Sequence, residues 1–221
     1  MKIDRRKSYY MVFDTETANT IDDPLVYDIG FAIVDKKGRV YETRSYVIYE
    51  VFCEMKSLMK SAYYANKIPK YWEQIKNGQR KIVRYNTARK AIHDLCKLYN
   101  VKAIIAHNAQ FDYRSTTTTQ RYLTQSKYRY FLPYGIELWD TLKMSRQTIC
   151  KQKSYQRWAR RNGYVTANNK VRATAEILYK YLSGYDTFEE SHTGLEDVLI
   201  EKVIFTQCMR QYKKMERKAF T

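Results

Sequence analysis

The chain is poor in the residues that punctuate or cross-link a fold: seven glycines, three prolines and four cysteines in 221 residues. Nothing in it resembles a Gly- or Pro-rich linker, an internal repeat or a low-complexity tract. Cys53, Cys96, Cys150 and Cys208 lie far apart and form no C-x-x-C pair. Neither a disulfide framework nor a zinc site is indicated, and the thiols read as reduced. No apolar run approaches the roughly 20 residues that span a bilayer. The opening MKIDRRKSYYMVF is charged, but it has no long apolar segment and no small-residue cleavage site. It does not read as a signal peptide, and the expected location is a cytoplasm with no membrane partner. Acid is also scarce: 23 Asp and Glu stand against 40 Lys and Arg, a net charge of +17. Such an excess points to a polyanionic partner.

The material for a core is present, since 44% of residues are apolar and 15% aromatic. The length fits a single domain over 1–221. Three strands are expected at 8–14, 26–35 and 39–49, with DKKGR (35–39) as the turn between the last two. Residues 55–78 read as helical in pieces, broken near Pro69. Residues 86–99 read as a helix that Thr87 can cap, with Ala91, Ile92, Leu95 and Leu98 on one face. A buried strand at 101–107, a Thr-rich helical stretch to about 127 and a strand at 135–140 follow. Helices are then expected near 141–149, 154–162, 171–183 and 192–214. The order gives an α/β architecture with a mixed sheet of about five strands.

Three segments carry carboxylates where a solvated surface has no need of them. FDTET (13–17) puts Asp14 and Glu16 on one face at the end of the first strand. NAQFD leads from the fourth strand to Asp112. HTGLED holds His192 and Asp197 five apart, about 140° around a helix at roughly 100° per residue. They share a face only loosely unless the helix begins near His192. Carboxylates gathered in a cleft repel one another unless a cation neutralises them. Mg²⁺ and Mn²⁺ are the hard ions that take such oxygen ligands. A nearby His can accept a proton from water. Each residue alone has an ordinary reading: Asp112 as a helix cap, His192 as a helix-start residue, Asp197 as a solvated acid.

Taken in order, FDTET, N-x-x-F-D and H-x-x-x-x-D resemble the three motifs of the DEDDh 3′–5′ exonucleases, over about residues 9–205. The chain looks most like small stand-alone members from bacteriophages and prophages, which would place it in a host cytoplasm. The resemblance implies a ribonuclease H-like fold with a five-stranded mixed sheet. It implies two divalent ions, Mg²⁺ or Mn²⁺, held by Asp14, Glu16, Asp112 and Asp197, with His192 as general base. The implied substrate is the 3′ end of single-stranded nucleic acid, DNA favoured. The alternatives are an exoribonuclease for short RNA, or a non-catalytic nucleic-acid-binding module associated with replication proteins. Thr15, Thr17, Asn108 and Phe111 stand where relatives seat the terminal nucleotide. VRATAE (171–176) competes for the third motif, but Val171 cannot accept a proton, so it reads as a packing helix. The family pattern H-x-A-x-x-D has Ala where this chain has Gly194, a change that weakens a helix by about 1 kcal/mol but keeps the side chain small.

Other residues have plainer readings. Asp140 is expected to cap the helix that follows it. Asp28 and His93 read as structural, His107 as a core group near the site, and Glu196 as solvated. The stretch 151–172 has seven Lys and Arg and no acid, with Tyr155, Trp158 and Tyr164 interleaved. That pattern can track a single strand by phosphate contact and base stacking, and 61–81 is a similar candidate.

Overall fold

A computed structural model describes residues 3–124, 127 and 130–220. Its centre is a six-stranded mixed sheet in the order β4-β3-β2-β1-β5-β6. The strands are β1 (Tyr9–Asn19), β2 (Pro24–Asp35), β3 (Val40–Ile48), β4 (Lys81–Val83), β5 (Ala103–Ala106) and β6 (Glu137–Asp140). β1, β2 and β3 form an antiparallel meander, while β4, β5 and β6 add in parallel. The strand beyond the expected five is β4. Its three residues are too few to give an alternation signal. The turn at 35–39 forms as expected, with Gly38 at a φ of +82° and its N–H donating to the Asp35 carbonyl.

Alternation along β1 divides the core. Tyr9, Met11 and Phe13 face one hydrophobic cluster, which includes residues of α1 (Lys56–Lys60), α2 (Ile68–Lys76) and α3 (Tyr85–Leu98). Tyr10 and Val12 face the other, with α5 (Thr141–Gln147), α6 (Lys153–Arg161), α7 (Ala175–Ser183) and α8 (Gly194–Arg210). α4 (Ala109–Leu123) follows β5 and packs against β2 and β1. β2 is buried along its whole length, as a central strand covered on both faces must be. No helix among the described residues is long and apolar enough to cross a membrane.

Several boundaries move for local reasons. β1 continues past Asp14 to Asn19, so Asp14 and Glu16 lie within the strand rather than at its end. Pro69 starts α2 instead of breaking a helix, because its ring suits the first turn. α3 begins at Tyr85 with Arg84 at the cap position, and Thr87 caps nothing; the Glu50 carboxylate accepts from the Tyr85 N–H instead. α7 begins only at Ala175, where Thr174 caps it. Val171 sits in a bridge to Val165, so VRATAE is not one helix. The expected end of the Thr-rich helix near 127 falls beyond Leu123, partly outside the described residues. Asp140 does cap α5, accepting from the Leu142 N–H at 2.8 Å.

Candidate active site

Asp14 and Glu16 share the β1 face that looks toward α8, the same face as Tyr10 and Val12. A bulge after Glu16 shifts the register before Thr17. Asp112 arrives from the other side of the sheet. After β5, Asn108 takes a left-handed conformation (φ 66°) that turns the chain into α4, and Asp112 falls in the first turn. Its Oδ1 accepts from both the Thr15 N–H (3.1 Å) and the Thr15 hydroxyl (2.8 Å). Thr15 thus anchors Asp112 against β1.

The third segment is fixed by the start of α8. Asp28, wholly buried on β2, accepts from the Gly194 N–H at 2.9 Å, from the Tyr71 hydroxyl at 2.7 Å, and from Arg80 at 2.8 and 2.9 Å. Arg80 also reaches Glu196 at 2.6 Å. Glu196 is therefore half of an ion pair, not the freely solvated acid expected from sequence. Gly194 lies against Gly30 so closely that a Cβ there would come 2.6 Å from the Gly30 nitrogen. Held in this way, α8 presents Asp197 from its first turn. His192 precedes the helix in a left-handed conformation (φ 47°), and this frees it from the helical spacing. Its ring stacks on Tyr64 at 4.6 Å and 16°. Lys67 lies over the other ring of that stack, 4.1 Å from the Tyr64 centroid, and donates to the Ser191 carbonyl at 2.5 Å.

Asp14, Glu16, Asp112, His192 and Asp197 line one cleft of about 1220 Å³. Ligand atoms of Glu16, His192 and Asp197 lie within 4.8 Å of one another. Thr15, Asn108 and Phe111 line the same cleft, whereas Thr17, beyond the bulge, is not among its lining residues. His107 reaches the wall and is held by Thr141 (3.0 Å) and the Ala173 carbonyl (2.8 Å); burial pulls its pKa down to about 4. His93 lies away from the cleft, bonded to the Phe131 carbonyl. Two more acids enter the cleft that sequence reasoning did not select, Glu190 and Glu201. Glu201 had a readable signal, since it stands four residues after Asp197 on the same helix face. Tyr64 and Lys67 lie in the basic, aromatic stretch 61–81, but nothing local ties them to His192; only the tertiary fold brings them there.

The electrostatics follow from so many acids in one place. Burial pushes Asp14 well above the carboxylate range, and the charges of Glu201, Asp112, Glu16 and Asp197 add to this. Burial, then Asp197, does the same to Glu16. Burial raises Asp112 to about 7 despite its bonds to Thr15. Asp197 rises to about 8 and Glu190 to about 7, each chiefly through burial. His192 moves down, first by burial and then by the charge of Lys67. The Asp14 Oδ2 is buried with no hydrogen-bond partner among the described residues. An oxygen-rich set with an unsatisfied buried carboxylate oxygen fits a hard divalent cation.

The basic stretch 151–172 divides its labour. Lys151, Arg160, Lys170 and Arg172 line the cleft, as does Arg146. Its aromatics do not stand free for stacking. Tyr155 is fully buried, and Trp158 packs between Tyr164 and Tyr181 at 5.3 Å from each. From 61–81, Tyr64 faces the cleft while Arg80 is buried as the partner of Asp28.

No protein-family model matches the sequence, and no curated protein matches it. Solved structures do match the fold. A full-length 3′-exonuclease superposes with a TM-score of 0.61 at 10% identity, over 96% of this chain and 85% of that one. The fold is that of the DEDDh 3′-exonucleases. The nuclease domain of 3′hExo, a DEDDh family member bound to rAMP, gives 0.59 at 12% identity, over 96% and 98%. The E. coli exonuclease I–ssDNA complex in its zinc-bound form gives 0.55 at 14%, over 93% of this chain but 41% of that longer one.

Proposed function

We propose that residues 1–221 form one exonuclease domain that removes nucleoside monophosphates from the 3′ end of single-stranded nucleic acid, DNA favoured, in a cytoplasm. The observation that carries this is the meeting of Asp14, Glu16, Asp112, Asp197 and His192 from β1, α4 and the start of α8 in one cleft with a basic wall. Asp14, Glu16, Asp112 and Asp197 would hold two Mg²⁺ or Mn²⁺ ions, which when bound supply positive charge to the scissile phosphate and its departing 3′-oxygen. His192 takes the proton of the attacking water, and the new P–O bond forms as the bond to the 3′-oxygen breaks. Tyr64 fixes the imidazole plane by stacking. The depressed basicity of His192 keeps it unprotonated, and so able to accept, at neutral pH. Arg146, Lys151, Arg160, Lys170 and Arg172 give the cleft one positively charged side for the phosphates that follow the terminal nucleotide. Among structures with this fold, one holds rAMP and another ssDNA, so fold likeness leaves both sugars open to this chain.

The test uses 5′-labelled DNA and RNA oligomers with Mn²⁺ or Mg²⁺. Products shortened stepwise from the 3′ end, faster on DNA and absent with Asp14→Ala, are expected. Faster cleavage of short RNA would move the assignment to an exoribonuclease. Retention of oligomers without cleavage under either ion would leave a binding module.

A further inference from the structure

Glu201 lies one turn beyond Asp197 on α8 and is 3% exposed. The His107 N–H donates to its Oε1 at 3.1 Å, which fixes the carboxylate against the end of β5. Its Oε2 lines up with no partner among the described residues. The same is true of the Asp14 Oδ2. Both residues line the one cleft. A carboxylate buried without a neutralising partner costs several kcal/mol. A solvated or hydrogen-bonded role would satisfy both oxygens; here a backbone N–H takes one, and the other stays buried without a partner on a residue that lines the cleft.

We propose that Glu201 is a fifth acidic ligand of the divalent cations, acting beside Asp14 on the side of the site where Asp112 enters. The proposal rests on the exonuclease reading only in requiring that the cleft take up cations. It separates Glu201 from a structural acid that merely shares a proton with Asp14. Gln keeps the shape and the bond from the His107 N–H, but it brings no charge to an ion.

Isothermal titration of the metal-free protein with MnCl₂, together with the electron paramagnetic resonance of bound Mn²⁺, reads this without any cleavage. The wild type is expected to bind two ions, and Glu201→Gln to weaken at least one of them tenfold or more. Glu201→Asp, which keeps the charge but withdraws it by one methylene, is expected to weaken it less than the Gln variant does. Mn²⁺ uptake by Glu201→Gln with wild-type stoichiometry and affinity overturns the proposal. If Glu201→Gln does not fold, unchanged affinity in Glu201→Asp overturns it equally. A wild type that binds no Mn²⁺ overturns the exonuclease reading and this proposal together, whereas a wild type that binds two ions alongside an unaffected variant overturns this proposal alone.

Discussion

Replacing Gly194 with Ala restores the residue type of the H-x-A-x-x-D pattern and improves helix propensity, yet the packing opposes it. The new Cβ would lie 2.6 Å from the Gly30 nitrogen, and 3.2 Å from both the Gly30 Cα and the Ile29 carbonyl carbon. These are backbone atoms of a central strand, so they cannot swing aside. The start of α8 must instead retreat by about 0.8 Å to reach ordinary contact, an overpacking that costs roughly 1–3 kcal/mol. Ala over Gly returns at most about 1 kcal/mol, so the net loss of stability is about 0–2 kcal/mol. The larger effect falls on the site. The Gly194 N–H loosens from Asp28, and His192 and Asp197, on either side of it, move with the helix start. A shift approaching 1 Å in catalytic groups can cost up to about 100-fold in rate. Urea unfolding and kcat/KM on a labelled oligomer measure the two parts. A variant about 1 kcal/mol more stable than wild type, cleaving at the wild-type rate, would refute this reasoning.

Three further outcomes are expected. Asp112, Asp197 and Glu190 hold protons to about pH 7, 8 and 7 in the fold, against roughly 4 when unfolded. The folded state then binds more protons than the unfolded one, so metal-free protein should lose thermal stability as pH rises from 5.5 to 8. Mg²⁺ should restore more at pH 8; a melting temperature that climbs with pH in chelator would contradict this. Arg80→Met strands the buried Asp28 carboxylate and should cost about 3–5 kcal/mol in urea unfolding, with Asp28→Asn/Arg80→Met recovering part of the loss. A single-variant loss below about 1 kcal/mol would show that the pair is not a keystone. Because burial and Lys67 hold His192 below its ordinary value, the acid limb of kcat/KM should lie below pH 6.5, and Lys67→Met should move it upward. An unmoved limb would remove Lys67 from that role.

The sequence carried the parts of this site that depend on local spacing. Alternation placed Asp14 and Glu16 together on β1, and the short distance from β5 to Asp112 survived the missed left-handed turn at Asn108. Helical geometry alone set His192 and Asp197 apart. Their meeting depends on His192 lying just outside α8 with positive φ, a conformation uncommon for any residue but glycine. Gly194 read as a mild loss of helix stability, because the strand that excludes a methyl there lies 164 positions earlier at Gly30. Glu196 read as solvated for the same reason: its partner Arg80 comes from a distant loop. The interleaved aromatics of 151–172 read as a base-stacking pattern, but Tyr155 is buried and Trp158 half-buried against Tyr155, Tyr164 and Tyr181, so they serve the core.

The central claim is that acids from β1, α4 and α8 surround divalent cations beside His192. Anomalous diffraction from crystals grown with Mn²⁺ tests it most directly. Two peaks in the cleft lined by the Asp14, Glu16, Asp112 and Asp197 carboxylates are predicted. A map with no peak at the Asp14 carboxylate under saturating Mn²⁺ would contradict the account.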